Sequence, residues 1–590
     1  MNVPVRIWAP AAGRVEIVEV ADDHRETRHE LRAGADAWWH WPAGLRAGTR
    51  YLVSLDGGEA LPDPGSLSQP DGVRGPSEVV DHEAFPWTDV DWHGPVPLAA
   101  SVFYECHVGT FTAEGTFGAV TGHLDHLRRL GVTHLELMPV AEFPGRRGWG
   151  YDGVFLAAPH HVYGGPDGLK RLVDACHARG LGVTLDVVYN HLGPSGNHLA
   201  RFGPFFTDRH HTPWGDAVNL DGPGSHQVRR FLLDNALGWF RDFHIDALRL
   251  DAVHALADAS AIPFLEQLAV ETEVLSGHLG RHLALIAESD LNDARIVARR
   301  EVGGFGLDAQ WSDDFHHALH AVLSGERSGY YADFGTLGQL GAALQAVFVH
   351  AGTYSALRNR VHGRPVGAVP GWRFLGYLQN HDQIGNRAVG DRLAASLNRT
   401  RLLAGAALVA CAPFVPMLFM GEEWGATTPF GYFVDHDEPP LIAAVREGRR
   451  REFAAFGWDP DVLPDPQDPA TAAAAVLDWA EPGEPGHADI LAWWTELLAL
   501  RRRRSELTDG DLAGVEVRVD EAAGWLVVRR GGVGVGVHLG TTPAELPVGP
   551  GRVILAAGGV RPGQTLEHGR IEVMPDAVVV VELADGGEGR

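Results

Sequence analysis

Four acidic residues stand at or near the end of short apolar runs in this sequence. They are Asp186 in Gly182–His191, Asp251 in Ile245–His254, Glu288 in His282–Asp290 and Asp382 in Phe374–Asp382. A single carboxylate in such a place is typical of a helix N-cap or a solvated loop. In a (β/α)8 barrel, however, the carboxyl ends of the strands meet on one face. We therefore expect these carboxylates to share one cleft.

Carboxylates grouped in this way suit hydrolysis of a glycosidic bond with retention. One carboxylate attacks the anomeric carbon and a carboxylic acid about 5–5.5 Å away protonates the leaving oxygen. Asp251 is predicted to be the nucleophile, because Arg249 lies two residues earlier on the same strand face and would hold it ionised. Glu288 is predicted to be the acid, since its apolar strand and neighbouring anions would raise its pKa. Asp382 would bind sugar hydroxyls and favour the distorted ring.

The sequence around these residues has the pattern of a parallel barrel, which would position them. From about residue 95, short apolar strands alternate with longer amphipathic stretches, which predicts βα units. Eight strands are predicted: Ser101–His107, Thr133–Pro139, Gly182–Tyr189, Ala247–Val253, Leu283–Ala287, Asp308–Trp311, Phe374–Gln379 and Pro416–Met420. Eight strands close a (β/α)8 TIM barrel, and we assign α/β as the fold class.

Two β-domains are predicted to flank this barrel. Alternation of apolar and polar residues predicts an immunoglobulin-like β-sandwich over 1–92 and a C-terminal antiparallel β-domain over 509–590. The catalytic barrel would then span 93–508, with a short insertion at about 192–224 roofing part of the cleft. The run Arg501–Arg504 reads as the solvated end of a helix.

The composition argues against several classes of function. With 49 basic and 76 acidic residues the formal net charge is -27, which speaks against nucleic acid or a membrane surface as partner. Lys170 is the only lysine, so a Schiff-base lysine is not expected. The three cysteines form no spaced pair and the N-terminus lacks a secretory signal, so a reducing, cytoplasmic location is predicted. The sequence leaves the oligomeric state open.

Motifs of other chemistries are missing or incomplete. No GxSxG elbow or GxxxxGK[ST] loop occurs, and the glycine-rich stretch Gly531–Gly540 misses the GxGxxG spacing. His316 and His320 stand at helical spacing without a glutamate between them. We predict no metal and no cofactor.

Four ordered segments resemble the conserved regions of the α-amylase superfamily of glycoside hydrolases. These segments are Asp186–His191, Leu248–His254, Ala287–Asp290 and Asn380–Asp382. The resemblance implies a (β/α)8 barrel and assigns roles to six residues. It implies Asp251 as nucleophile, Glu288 as acid/base, Asp382 as transition-state stabiliser, and Arg249, His191 and His381 as supports.

Further segments are more similar to the malto-oligosyltrehalose trehalohydrolases than to the amylases. They are Tyr104–Thr112, Met138–Gly153, Asn190–Asn197, Thr212–Gly215 and Pro429–His436. The resemblance implies release of trehalose by cleavage of the α-1,4 bond next to the terminal trehalose unit of maltooligosyltrehalose, or action on a related α-glucan. Ala247 and Val434 depart from the pattern of that family, which commonly has glycine and threonine there. Neither position carries a catalytic role.

Residues around the trio are predicted to bind the substrate. Trp149 and Tyr151 would stack on sugar faces, because aromatic rings pack against the C–H surface of pyranoses, and Asp152 would hold hydroxyls. Packing at the barrel rim is the alternative for the two rings. The whole predicted set is Arg249, His191, His381, Asp186, Asn190, Trp149, Tyr151, Asp152 and His254.

Two other functions fit parts of the same pattern. A glycogen branching enzyme has a similar barrel and trio but passes the glucosyl intermediate to a sugar 6-hydroxyl instead of water. A non-catalytic carbohydrate-binding protein would keep the barrel and lose the chemistry. Loss of Asp251, Glu288 or Asp382 would have marked the second alternative, and all three are present.

Overall fold

The N-terminal part of the molecule consists of two antiparallel sheets. A computed structural model describes residues 2–21, 23, 25–454 and 463–584 of the chain. The strands are β1 (Asn2–Trp8), β2 (Val15–Val20), β3 (Glu26–Glu30), β4 (Arg32–Ala33), β5 (Trp38–Arg46), β6 (Arg50–Leu55), β7 (Ala60–Leu61) and β8 (Ser77–Glu78). One sheet has the order β1-β5-β4, and the other has the order β3-β2-β6-β7 with β8 paired to β6. Ile17 and Val53 pair across β2 and β6 and are fully buried, as alternating apolar residues require.

Eight parallel strands then form a closed barrel. The strands of this region are β9 (Phe103–Cys106), β10 (His134–Leu137), β11 (Ala141–Glu142), β12 (Phe155–Pro159), β13 (Gly182–Val187), β14 (Phe206–Thr212), β15 (Gly215–Val218), β16 (Ala247–Leu250), β17 (Ala284–Ala287), β18 (Ala309–Trp311), β19 (Thr353–Ser355), β20 (Arg360–His362), β21 (Phe374–Tyr377) and β22 (Val415–Phe419). The barrel order is β9-β10-β13-β16-β17-β18-β21-β22. The predicted (β/α)8 barrel is confirmed, and its eight strands are the eight apolar runs.

Helices accompany the barrel strands, and the longer ones among them, such as Gly165–His177, Ser225–Asp242 and Asp313–Ser324, bury an apolar face. They are α1 (Val108–Phe111), α2 (Phe117–Thr121), α3 (Leu124–Leu130), α4 (Gly165–His177), α5 (Leu199–Phe202), α6 (Ser225–Asp242), α7 (Phe264–Leu279), α8 (Asp313–Ser324), α9 (Leu337–Ala346), α10 (His381–Gly385), α11 (Leu393–Ser396), α12 (Arg399–Cys411), α13 (Pro439–Ala454), α14 (Pro469–Ala474) and α15 (His487–Arg503). In α4, Leu169, Leu172, Val173 and Cys176 follow helical spacing and are buried. Among the described residues, no helix combines the length and apolar character needed to cross a membrane.

The segment at 192–224 carries α5 and the β14–β15 hairpin. Trp214, between the two hairpin strands, stacks on His191 with ring centroids 4.5 Å apart and planes 4° apart. The indole stays about half exposed, at 51%. The hairpin therefore reaches the carboxyl end of the barrel, beside residues predicted to bind substrate.

The C-terminal part is antiparallel, as predicted. Its strands are β23 (Val515–Asp520), β24 (Trp525–Arg530), β25 (Val533–His538), β26 (Ala544–Leu546), β27 (Gly551–Ala557), β28 (Thr565–Leu566), β29 (Ile571–Val573) and β30 (Ala577–Leu583). Six of them form the sheet β23-β24-β25-β30-β27-β28, and β26 pairs with β29. The bounds 1–92, 93–508 and 509–590 for the three domains stay a prediction.

The interpretation of Arg501–Arg504 as a solvated helix end is wrong for Arg501. Its guanidinium is buried and donates to the backbone carbonyls of Ala410 at 3.1 Å and Phe414 at 2.7 Å. The last carbonyls of a helix lack partners within the helix, and α12 ends at Cys411. The buried arginine satisfies a carbonyl in this final turn and so joins α15 to the end of α12.

Candidate active site

Arg249 lies at the centre of a carboxylate cluster at the carboxyl end of the barrel. The parallel register of β13 and β16 pairs Arg249 with Asp186. Nη1 of Arg249 donates to Asp186 Oδ2 and to Asp251 Oδ1, both at 2.8 Å, and Nη2 lies 3.0 Å from Glu288 Oε2. Its guanidinium also lies over the ring of Trp311, 4.3 Å from the centroid. One buried guanidinium thus brings carboxylates from three strands into one pocket.

Asp251 follows β16 directly and is held as an anion. Its backbone N–H donates to Val187 O at 3.0 Å, which extends the pairing between neighbouring strands. Asn190 Nδ2 donates to Asp251 Oδ2 at 2.7 Å. Burial opposes ionisation, but the charges of Arg249 and His191 and the hydrogen bonds from Asn190 and Arg249 lower the pKa of Asp251 below its ordinary value.

Glu288 follows β17 and is held in the protonated form at neutral pH. Burial, together with the charges of Asp251 and Asp382, raises the pKa of Glu288 to about 8 against the opposing charge of Arg249. Glu288 Oε2 accepts the N–H of Ala252 at 2.7 Å. Ala252 has φ +40°, a left-handed backbone that an alanine rarely adopts. This strained backbone therefore directs the N–H of Ala252 toward Glu288, the predicted acid.

Asp382 lies in the first turn of α10, after β21. Its Oδ1 accepts from Asn386 Nδ2 at 2.9 Å, and its backbone N–H donates to Asn380 Oδ1 at 2.9 Å. The charge of Asp382 helps to raise the pKa of Glu288, so the two carboxyl groups lie close enough to interact. Strands four, five and seven of the barrel therefore supply the three predicted catalytic carboxylates to one site.

A fifth carboxyl group of the pocket, Asp313, was missed in the sequence. It begins α8 after the sixth barrel strand and accepts from Tyr377 Oη at 2.5 Å. Burial raises the pKa of Asp313 to about 7, with Asp382 contributing and the Tyr377 hydrogen bond opposing. The available signal was the acidic pair that follows the predicted strand Asp308–Trp311.

His381 and Tyr151 form a hydrogen-bonded chain to Asp186. Tyr151 Oη donates to Asp186 Oδ2 at 2.7 Å and lies 2.9 Å from His381 Nε2. Burial raises the pKa of Asp186 to about 6, although Arg249 opposes this shift. The rings of Tyr151 and His381 are stacked with centroids 5.3 Å apart. Tyr151 is thus tied to the catalytic cluster through its hydroxyl.

Trp149 is more enclosed than the predicted sugar stacking suggests. It is 4% exposed, stacks on Phe430 with centroids 5.2 Å apart, and donates from Nε1 to Gly431 O at 3.1 Å. It also meets His381 edge to face at 5.4 Å. These contacts give the indole a packing role behind His381, which was the alternative for this ring. Its binding of substrate stays a prediction.

Four other predicted binding residues fall into two groups. Asn190 and His191 contact each other beside Asp251, and burial lowers the pKa of His191. Asp152 lies near them, 3.7 Å from His436 Nε2, and burial raises its pKa. His254 instead lies in the turn after β16, with Nε2 4.0 Å from Asp290. The structure therefore brings Asp152 toward the pocket wall and leaves His254 at the rim.

One group of described side chains has the composition of a metal site. Glu142, His160 and His161 bring ligand atoms within 4.8 Å of one another. His161 Nδ1 lies 2.8 Å from Glu142 Oε1, and the N–H of Val162 donates to His160 Nδ1 at 3.2 Å. In a neutral ring with this hydrogen bond, His160 Nε2 carries the proton and offers no lone pair to a cation. The Nδ1 atoms of both histidines and the carboxylate of Glu142 are thus engaged in hydrogen bonds, and the absence of a metal stays a prediction.

Family models match two parts of the chain. Residues 72–202 match the model of the alpha amylase catalytic domain, which includes the first barrel strands and Asp186. Residues 510–580 match a domain of unknown function, DUF3459, and this range holds most of the C-terminal sheet.

Several relatives are similar over nearly the whole chain. A malto-oligosyltrehalose trehalohydrolase of Arthrobacter ramosus is 50% identical over 96% of this chain and 98% of its own. The protein of the same name from Saccharolobus solfataricus is 42% identical over 90% of each chain. A 1,4-alpha-glucan branching enzyme of Vibrio parahaemolyticus is 36% identical, but over 42% of this chain and 36% of its own.

Solved structures share the architecture. A Salmonella typhimurium protein provisionally described as an alpha amylase superposes with a TM-score of 0.88 at 35% identity, covering 98% of this chain and 97% of that chain. A pullulanase of Anoxybacillus sp. LM18-11, solved with maltotetraose, has a TM-score of 0.72 at 16% identity and covers 98% and 86%. At such low identity the second likeness concerns the fold alone.

Proposed function

Because this chain belongs to the family of malto-oligosyltrehalose trehalohydrolases, we propose that it hydrolyses the α-1,4 bond next to the terminal trehalose unit of maltooligosyltrehalose. The products are trehalose and a maltooligosaccharide. The observation that carries this function is the identity of 50% over 96% of the chain with a relative of that name. The carboxylate pocket around Arg249 supports it with chemistry that suits a glycoside hydrolase.

Asp251 acts as the nucleophile in this proposal. Its oxygen attacks the anomeric carbon, the bond from that carbon to the leaving trehalose oxygen breaks, and a covalent glycosyl ester forms. The support is the low pKa of Asp251, which Arg249 and Asn190 maintain against burial, so the carboxylate is an anion at neutral pH. Arg249 Nη1 donates a hydrogen bond to Asp251 Oδ1, and Asn190 Nδ2 donates one to Asp251 Oδ2. These bonds orient both carboxylate oxygens before the substrate binds.

Glu288 acts first as the acid and then as the base. With a pKa of about 8 it is protonated at neutral pH and gives its proton to the leaving glycosidic oxygen. Formation of the ester then removes the negative charge of Asp251, one of the charges that raise the pKa of Glu288. The deprotonated Glu288 is therefore favoured at the moment when it must take a proton from the attacking water. Water adds to the anomeric carbon and releases Asp251.

The other residues of the pocket bind and orient the sugar. Asp382 and His381, next to each other at the start of α10, are proposed to hold hydroxyls of the ring that undergoes cleavage. Tyr151 packs beside His381, and its ring is proposed to contact the same sugar. The buried Trp149 packs edge to face against Tyr151 and His381 and so supports their rings. A cytoplasmic location and an α-glucan as the binding partner belong to the same proposal.

Incubation of the purified chain with maltooligosyltrehalose tests this function. Release of trehalose, measured by anion-exchange chromatography, is the expected result. Branched glucan formed from amylose without trehalose release would instead identify a branching enzyme. Absence of any turnover by a folded chain would favour a carbohydrate-binding protein.

Glu288→Gln tests the acid/base role within the same assay. We expect kcat to fall by about 10²- to 10⁴-fold, the range that general acid–base catalysis contributes. The matched control is Glu301→Gln, which changes a carboxylate with a 69% exposed side chain farther along the same connection. Equal activity of Glu288→Gln and the control would remove Glu288 from this role.

A further inference from the structure

Glu105 is a buried carboxylate behind the active site that the mechanism above does not use. It lies on β9 at 1% exposure, inside the barrel. Its Oε2 accepts the backbone N–H of His381 at 3.0 Å, and its Oε1 contacts Nδ1 of the same residue. One carboxylate therefore holds both the backbone and the ring of His381. The position of the ring is defined from the first barrel strand, far away in sequence.

The hydrogen bonds around His381 specify how many protons its ring carries. A carboxylate accepts, so Nδ1 facing Glu105 carries a proton. Tyr151 has a single O–H, and it is used at 2.7 Å on Asp186 Oδ2, which also accepts from Arg249. Tyr151 Oη must then accept from His381 Nε2 at 2.9 Å. Both ring nitrogens are donors in this arrangement, and His381 is an imidazolium.

We propose that Glu105 is a positioning residue that keeps His381 protonated and aimed at Tyr151, so that a cationic imidazole borders the sugar pocket beside Asp382. This inference rests on the proposed hydrolase function and deepens it. The cation would complete a chain of hydrogen bonds in which His381 donates to both Glu105 and Tyr151, and Tyr151 donates to Asp186. Without Glu105, a neutral ring protonated at Nδ1 would leave the single O–H of Tyr151 with two acceptors, Asp186 Oδ2 and His381 Nε2.

The groups around His381 agree with this charge state. Burial lowers the pKa of His381, but the charge and hydrogen bond of Glu105, with a contribution from Asp382, raise it above the ordinary value, while Arg249 opposes. The charged and titratable groups that face His381 are Glu105 and His107 from the first barrel strand and the turn after it, Tyr151, Asp186 on β13, Arg249 on β16 and Asp382 on its own helix. Among these groups, Glu105 is the carboxylate that contacts the imidazole ring of His381 directly.

Glu136 provides a matched control in the same layer of the barrel. The register of β9 and β10 pairs it with Glu105, and it is equally buried at 1% exposure. Neither of its carboxyl oxygens has a hydrogen-bond partner among the described residues. Burial, with the charge of Glu105, raises its pKa well above the ordinary value and so favours the neutral form. Glu136→Gln thus repeats the substitution in the same layer without removing a hydrogen bond to His381.

The experiment compares wild type, Glu105→Gln and Glu136→Gln in trehalose release between pH 4.5 and 8.5. For Glu105→Gln we expect kcat/KM at pH 7 to fall about 10- to 100-fold, or about 1.4 to 2.7 kcal/mol, mainly through kcat. The loss should shrink toward acid pH, because protons in solution restore the imidazolium that Glu105 no longer stabilises. Glu136→Gln should keep the wild-type profile.

A double substitution separates positioning from general damage to the barrel. If Glu105 acts through His381, adding Glu105→Gln to His381→Gln should cause little further loss, whereas independent effects would multiply. Glu105→Asp keeps the charge on a shorter side chain, should recover part of the activity, and serves in the same assay if Glu105→Gln does not fold. Equal profiles for Glu105→Gln and Glu136→Gln, or multiplying losses, would overturn the inference. A wild-type chain that releases no trehalose would instead overturn the proposed function.

Discussion

The pH dependence of trehalose release should report the protonation of Glu288. The acid must carry a proton, and burial with the charges of Asp251 and Asp382 raises its pKa to about 8. For one titrating group of that pKa, the protonated fraction is about 0.9 at pH 7, about 0.5 at pH 8 and about 0.1 at pH 9. We therefore expect kcat/KM to be nearly constant from pH 5 to 7 and to fall about tenfold per pH unit above 8.

The acid side of the profile depends on Asp251, which must be ionised to attack. Its pKa lies below the ordinary value of 3.8 because Arg249, His191 and Asn190 outweigh burial. Activity should therefore persist to below pH 4 and be lost only as the pH falls through that lowered pKa. The two limbs together give kcat/KM a broad, bell-shaped dependence on pH, as expected when the pKa values of an acid and a nucleophile are pushed apart.

The assay measures initial rates of trehalose release at substrate concentrations well below KM and at constant ionic strength, because kcat/KM reports the groups of the free enzyme. Asp313→Asn adds a directional test. Asp313 is one of the anions that raise the pKa of Glu288, so its neutralisation should move the alkaline limb to lower pH. Glu301→Gln, with its exposed side chain, should leave the limb in place.

Two results would refute this reasoning. One is a wild-type rate that stays constant through pH 9.5, since Glu288 would then be largely ionised without consequence. The other is a displacement of the alkaline limb to higher pH in Asp313→Asn, since the loss of a neighbouring anion cannot favour the protonated form of Glu288.

Further predictions concern the charged groups that hold the barrel and its pocket. Arg249→Gln should lower the free energy of unfolding at pH 7 by about 3–5 kcal/mol, because it leaves buried carboxylates without their cation, and urea unfolding measures this loss. Asp251→Asn should lower kcat by at least about 10³-fold in single-turnover assays, since the nucleophile is lost, whereas a smaller effect would contradict its role. His177 lies between Asp89 and Asp246, and its pKa is raised because these carboxylates outweigh burial. The stability that His177→Gln removes should therefore be greatest below pH 6.5 and smaller as the pH rises through the raised pKa, as thermal unfolding at several pH values would reveal.

Local patterns in the sequence were sufficient to predict the barrel. Each of its strands is a short apolar run, and a buried parallel strand needs no other signal because both of its faces are covered. The observed β16 and β17 end directly before Asp251 and Glu288, where the apolar runs end in the sequence. Closure of eight such strands then places these residues on one face, whatever their separation along the chain.

The sequence was less informative about side chains that act across the barrel. Glu105 stands within an apolar run, and nothing in its neighbours reveals that it contacts His381, 276 residues later. Asp313 likewise looks like an ordinary residue at the start of a helix. Trp149 was predicted to face sugar, but its burial against Phe430 depends on how two distant loops pack.

By itself, the sequence determined the barrel, the strand ends that carry Asp251, Glu288 and Asp382, and the arginine two residues before the nucleophile. These features follow from apolar runs and from spacing along one strand, which neighbouring residues encode. Only the tertiary structure decided which carboxyl groups are charged and which are neutral. That outcome depends on burial and on charges from other strands, and both arise only when the closed barrel brings distant side chains within a few ångströms.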